Sequence, residues 1–259
     1  RQAIGLRPDY AEAHTNLGVT LKRLGRPEEA FSSYVSAINL KADLSSAYSN
    51  LGVALRGIRF VEEDQSLYPI LLHLITEADF VRPADVAEAI LSLLRLNPLL
   101  EESLLNTPID PNIKEVRRAI EVLAEVPLLR QLMRVCPLPD LEFEAVFVSI
   151  RRVLLKNLGR IERCPETNDF LSTLSLHCFT NEFVYPESGE ELELVSDLET
   201  TIAECIALAS QPAITEVLCL ATYRPLHQYD WSEKLRVLQQ LPEVQSRLLE
   251  EPRVERAIA

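Results

Sequence analysis

Apolar residues return at helical spacing along most of the chain, and prolines mark where the pattern stops and restarts. The clearest feature is a repeat. His14-Thr15-Asn16-Leu17-Gly18-Val19-Thr20-Leu21 corresponds position by position to Tyr48-Ser49-Asn50-Leu51-Gly52-Val53-Ala54-Leu55, an offset of 34 residues. The offset also runs backwards, placing Ala37-Ile38 on Ala3-Ile4 and Leu40 on Leu6, so the chain is expected to open in the tail of an earlier copy. Residues 11–42 read as one helix–turn–helix unit, repeated in register from Ser45. Gly25-Arg26-Pro27 supplies the turn, with Pro27 at the first helical position, where its missing N–H costs nothing. Gly18 and Gly52 sit inside helical patterns at a cost of about 1 kcal/mol relative to alanine, which predicts a neighbouring helix in close approach. Ala30 and Ala37 are small on the second helix, while Leu17, Leu21, Phe31, Tyr34 and Ile38 are large enough to fill the layer between copies. Such a hairpin cannot bury its own apolar face and must stack on another.

The second copy departs from the pattern where Asp64 replaces the small Ala30, so the repeats are expected to end near residue 65. Further helices are predicted over 69–77, 83–96, 99–105, 113–135, 141–158, 169–185, 190–210, 213–223 and 232–241. In the segment from 190, Val195, Leu198, Ile202, Ile206 and Ala209 form one apolar stripe facing a core. Arg82-Pro83-Ala84-Asp85 opens a helix and Asn97-Pro98 closes it. In the proline-stiffened connector Cys136-Pro137-Leu138-Pro139-Asp140, Asp140 is a candidate cap for the next helix. The fold class predicted is all-α: a short repeat array over 1–65, then an irregular helical bundle over 66–259.

Composition agrees. The 259 residues contain seven glycines and sixteen prolines, and 47% of positions are hydrophobic, enough for a substantial core. A formal net charge of −13 opposes a phosphate-binding surface and hence a nucleic-acid partner. No apolar run approaches the roughly 20 residues that span a bilayer. Cys136, Cys164, Cys178, Cys205 and Cys219 are odd in number and form no Cys-x-x-Cys pair, which predicts reduced thiols and a cytoplasmic setting. The chain begins with Arg1 inside a repeat, and we expect it to be a piece of something longer.

A period of 34 with Asn-Leu-Gly in the first helix and Ala30 and Ala37 in the second resembles the tetratricopeptide repeat. That resemblance implies a superhelical array with a concave groove, into which the position held by Asn16 and Asn50 points. In this respect the chain is similar to the repeats of O-linked N-acetylglucosamine transferases, where an asparagine ladder binds the backbone of an extended peptide. An amide carries both donor and acceptor, so it can hold a peptide without reading its side chains. Lys22, Arg23 and Arg56 fall near the groove's end, where they are placed to take a carboxylate from a partner. The simpler reading of these cations is favourable charge at helix C-termini, and that of the asparagines is a solvated helix face. The stretches Val81–Asp85, Cys136–Glu142, His177–Tyr185 and Trp231–Leu235 resemble the helical region that joins tetratricopeptide repeats to class I S-adenosylmethionine-dependent methyltransferase domains in bacterial proteins. That likeness implies a catalytic domain after Ala259, with residues 66–259 recruiting its substrate or serving as its lid.

No catalytic or cofactor site is predicted within the chain. The seven glycines form no Gly-rich cofactor loop after a strand and no nucleophile elbow. His177 and Asn181, four apart on a helix, could meet one ion, but no further ligand pair is spaced to help. His177, Cys178 and Phe179 are read as core. Glu187, Glu190, Glu191, Glu193, Asp197, Glu199 and Glu204 are read as a solvated acidic patch, mostly on the face opposite the apolar stripe. Tyr223, His227, Tyr229 and Trp231 are read as packing. The expected partner is a protein or peptide, with neither nucleic acid, membrane nor metal.

Overall fold

The computed structural model describes residues 7–77, 80–106, 108, 111–161 and 164–249, and within them every regular element is a helix. The earlier repeat copy expected at Ala3 to Leu6 lies outside the described residues. Among the described residues no helix is long and apolar enough to cross a membrane. The chain divides into two compact units, one running to Glu102 and including Val126–Asp140, the other comprising Ser103–Glu125 and the chain from Leu141 onward.

In the first unit, α1 (Ala11–Arg23) and α2 (Pro27–Leu40) are joined by three residues, and α3 (Ser45–Leu55) packs on both. The turn works through Gly25, whose φ of +72° suits glycine, and through Pro27 at the start of α2. Ala30, Tyr34 and Ala37 are completely buried. Tyr34 occupies the space above Gly18, where an added Cβ would sit 2.5 Å from the ring Cε1. This is the close approach that an interior glycine requires.

Beyond α3 the correspondence between copies fails. Tyr68 stands 34 residues after Tyr34, yet the notch above Gly52 is filled by Val81, whose Cβ would meet a Gly52 Cβ at 2.9 Å. Asp64 caps a 3₁₀ turn, Gln65–Leu67, by accepting from Ser66 N at 3.0 Å. Tyr68 then opens α4 (Tyr68–Thr76), and its hydroxyl accepts from Asn97 Nδ2 at 3.1 Å. α5 (Pro83–Leu94) leads into the single turn Pro98–Leu100 and the π-helical Glu101–Leu105.

The helix expected over 113–135 is two helices, α6 (Ile113–Ala124) and α7 (Pro127–Val135). Pro127 explains the break, since it lacks an N–H and its ring collides with the carbonyl four residues before. The break also separates the units: α7 packs on α4 and α5, while α6 belongs to the second unit. Within the first unit Arg95 grips Asp140 with two bonds, of 2.7 and 2.6 Å.

The second unit is built on α8 (Leu141–Lys156), α9 (Pro165–Thr180), α10 (Gly189–Ala207), α11 (Ile214–Ala221) and α12 (Pro242–Leu249), together with α6. α8 touches α6, α10 and α11, while α9 lies against α6, α11 and α12. α6 starts with a capping box of Asn112 and Glu115, and α10 with one of Ser188 and Glu191. α9 stops earlier than the expected residue 185 because Glu182 and Phe183 adopt left-handed φ values of +57° and +56°. Ala209, expected on the α10 stripe, lies past the helix end and is exposed, with φ +56°. The expected helix over 232–241 is two short 3₁₀ turns, Ser232–Lys234 and Val237–Gln240, and α12 follows where none was predicted.

Candidate functional site

The predicted peptide-binding residues lie in the first unit, on or beside two helices in contact. Asn16 is exposed on α1, and Asn50 is half-buried on α3. Asn50 Nδ2 donates to the Ser46 carbonyl four residues back at 2.7 Å. An amide group has a second N–H and an oxygen, so that bond leaves further capacity. Thr15 does not share the face: it is buried and donates to the Ala11 carbonyl at 3.2 Å. Glu12 pairs with Lys41 at 3.3 Å. Of the cations, Lys22 and Arg23 are exposed in the last turn of α1. Arg56 is different. It follows α3 directly and holds Asp85, in the first turn of α5, at 2.5 Å. Its charge is therefore already engaged by a carboxylate of the chain itself, and Arg59 and Glu88 pair similarly.

A second polar cluster, which sequence reasoning missed, lies in the core of the second unit. Arg151 on α8 is 1% exposed. Its guanidinium lies 4.1 Å from the centre of the Tyr223 ring and 5.6 Å from that of Tyr185. It donates to the carbonyls of Thr222 at 3.2 Å and Pro186 at 3.0 Å. Thr222 closes the C-terminus of α11, so the cation also meets the negative end of that helix. Glu191 is completely buried, accepting from Tyr223 Oη at 3.0 Å, Arg152 Nε at 3.2 Å and Ser188 N at 2.9 Å. Glu191 is therefore an exception to the solvated reading of this acidic patch. Glu191 is four residues before Val195, on the apolar stripe itself, and that spacing was the available signal. Arg151, four residues after the buried Phe147, gave a similar one.

The electrostatics make this cluster a brace rather than a reactive centre. Burial alone would raise the Glu191 carboxyl, but the bonds from Ser188, Tyr223 and Arg152 outweigh it and hold it below its usual range. Burial pushes Cys178 and Cys219 up to about 12, so neither thiol ionises readily. Tyr185 and Tyr223 are raised for the same reason. His177 is buried with Nε2 2.7 Å from Tyr185 Oη, its ring edge-on to Phe147, a core position as the sequence suggested. Among the described residues no group of three or more His, Cys, Asp or Glu side chains is arranged to hold a metal ion. The C-terminal aromatics also pack: Tyr229 stacks on Trp231 at 4.4 Å and donates to Glu199 at 2.5 Å. Other acidic residues find cations, Glu187 with Arg224 at 2.6 Å and Glu190 with Lys156 at 2.6 Å.

The stretches that suggested a methyltransferase-linked region carry several of these internal contacts. Val81 fills the Gly52 notch, Asp85 holds Arg56, Asp140 holds Arg95, and His177 meets Tyr185. Packing alone is a sufficient reason for those residue types. Comparison with protein-family models, with curated proteins and with solved structures finds no match to this chain.

Proposed function

We propose that this chain is a protein-interaction module whose α1 and α3 receive an extended peptide, held through its backbone by Asn16 and Asn50. The observation that carries the reading is their equivalence: two amides 34 residues apart, in identical Asn-Leu-Gly settings, exposed and half-buried on adjoining helices. The tetratricopeptide-like spacing supports it, as does the Gly18–Tyr34 packing that makes α1 and α2 a rigid pair. Main-chain recognition gives affinity with little sequence preference. Lys22 and Arg23, exposed one to two turns beyond Asn16, would favour acidic residues in the peptide. The function is binding rather than turnover.

The test begins with selection of peptides from a random library against the full chain. The double variant Asn16→Ala/Asn50→Ala is expected to bind a selected peptide at least about tenfold more weakly, since each lost amide removes hydrogen bonds to the peptide backbone. Its melting temperature should stay close to that of the parent, as surface substitutions change stability by about 0.5 kcal/mol or less. Equal affinity in the double variant would remove the proposal.

A further inference from the structure

The two repeat copies differ in burial flank by flank, and the difference shows how α1 and α3 lie against each other. On one flank α1 is the better covered. Ala11 and Thr15 are buried and Val19 is half-buried, whereas their equivalents on α3 are open: Ser45 is exposed, Ser49 half-buried and Val53 42% exposed. On the other flank the order reverses. Leu17 is half-buried and Thr20 exposed on α1, whereas Leu51 and Ala54 are buried on α3. Because the two helices touch, the flank of α1 with Thr15 and Val19 faces the flank of α3 with Leu51 and Ala54. At 3.6 residues per turn, Val19 then lies on the α3 side of Asn16, and Ala54 on the α1 side of Asn50. A seam runs between the two amides, and one turn past them its walls are valine and alanine.

Resting on the peptide-binding reading above, we infer that the bound peptide carries an aliphatic side chain seated in this seam against Val19 and Ala54. Packed helices lie about 8–10 Å apart and an extended chain rises about 3.3 Å per residue, so a peptide held by both amides crosses the seam with about three residues. Successive side chains of an extended segment point to opposite faces, so at least one of them points down at the seam. Valine and alanine side chains give it no hydrogen-bond partner. A polar group placed there loses water without compensation, whereas an aliphatic one exchanges water for apolar contact. Arg23, exposed and four residues after Val19 on the same face of α1, sets the charge of the neighbouring residue as acidic. The occupant is thus an extended segment in which an aliphatic residue stands beside an acidic one.

Dodecapeptides selected from a random library against the full chain supply the probe. Their aligned sequences should share an aliphatic position, and lysine at that position should weaken a selected peptide at least about tenfold, a change that leaves the protein untouched. Val19→Ile should bind the selected peptide like the parent. Val19→Lys, with circular dichroism confirming its helices, should bind that peptide at least about tenfold more weakly, yet bind its glutamate-substituted form more tightly than the parent chain does. The Asn16→Ala/Asn50→Ala variant separates the two readings. If it loses the peptide while Val19→Lys binds like the parent, or if the selected sequences share no aliphatic position, the seam assignment is overturned and main-chain recognition stands. If the asparagine variant binds like the parent, or if no peptide is enriched, both fall.

Discussion

The ring of Tyr34 lies where the side chain of residue 18 would be, 2.5 Å from an ideal Cβ on Gly18. Glycine here trades helix propensity for contact between α1 and α2. Gly18→Ala should gain about 1 kcal/mol in propensity and lose more than that to overpacking against a fully buried ring, a net destabilisation of about 1–2 kcal/mol. Gly159→Ala, with nothing within 4 Å of its Cβ, should change stability by less than about 0.5 kcal/mol. Urea denaturation of the two variants checks the contrast, and a stabilised Gly18→Ala would show that the ring yields freely.

Glu191 couples stability to acid pH. Its carboxyl in the folded chain titrates below the usual value of 4.5, so its contribution is present in full above about that pH and fades as the pH falls through the lower, folded value. Glu191→Gln keeps the shape but leaves Arg152 without its carboxylate, at an expected cost of about 2 kcal/mol near neutrality. Thermal melts between about pH 6 and pH 3 should show a shallower acid limb for Glu191→Gln than for the parent. Parallel curves would separate Glu191 from the acid response.

The cysteines should divide by burial. Cys136 is pushed up to about 11 and Cys178 and Cys219 to about 12, whereas Cys164 and Cys205 are half-buried. A disulfide reagent added to the native chain near neutral pH should react with two thiols promptly, and with the other three only on unfolding. Rapid reaction of all five would contradict the packing around Arg151.

Much of this was legible from sequence. The 34-residue offset, Pro27 and the interior Gly18 foretold α1, the turn and α2 because each signal is local. Long-range partners were not legible: Val81 fills the Gly52 notch although Tyr68 holds the equivalent place in the repeat. Pro127 marks the break between α6 and α7, but apolar spacing continues on both sides of it and makes 113–135 look like one helix. The 3₁₀ turns between Ser232 and Gln240 mimic a helix in composition, which hid the start of α12 at Pro242. The buried charges Arg151 and Glu191 were masked by residue type, since charged side chains are rarely interior unless paired. At the proposed binding face, Asn16 and Asn50 could be found by register alone, but the engagement of Arg56 by Asp85 depends on a fold contact 29 residues away.

That engagement makes the cations unequal. Arg56→Ala should cost less than about 1 kcal/mol, because the Arg56–Asp85 pair is largely exposed, and should leave affinity for a selected peptide unchanged. Lys22→Glu with Arg23→Glu should instead weaken acidic peptides and spare neutral ones, with the difference shrinking as salt is added. Titration calorimetry of the variants at two ionic strengths checks both statements. A larger loss from Arg56→Ala than from the double reversal would invert the assignment.

Side-chain amide resonances report directly on whether α1 and α3 hold a peptide by its main chain. In nitrogen-15-labelled protein titrated with a library-selected peptide, the side-chain NH₂ signals of Asn16 and Asn50 should shift together and saturate at the same peptide concentration. Shifts confined to residues outside α1 and α3, with both amides unmoved at saturation, would contradict the account.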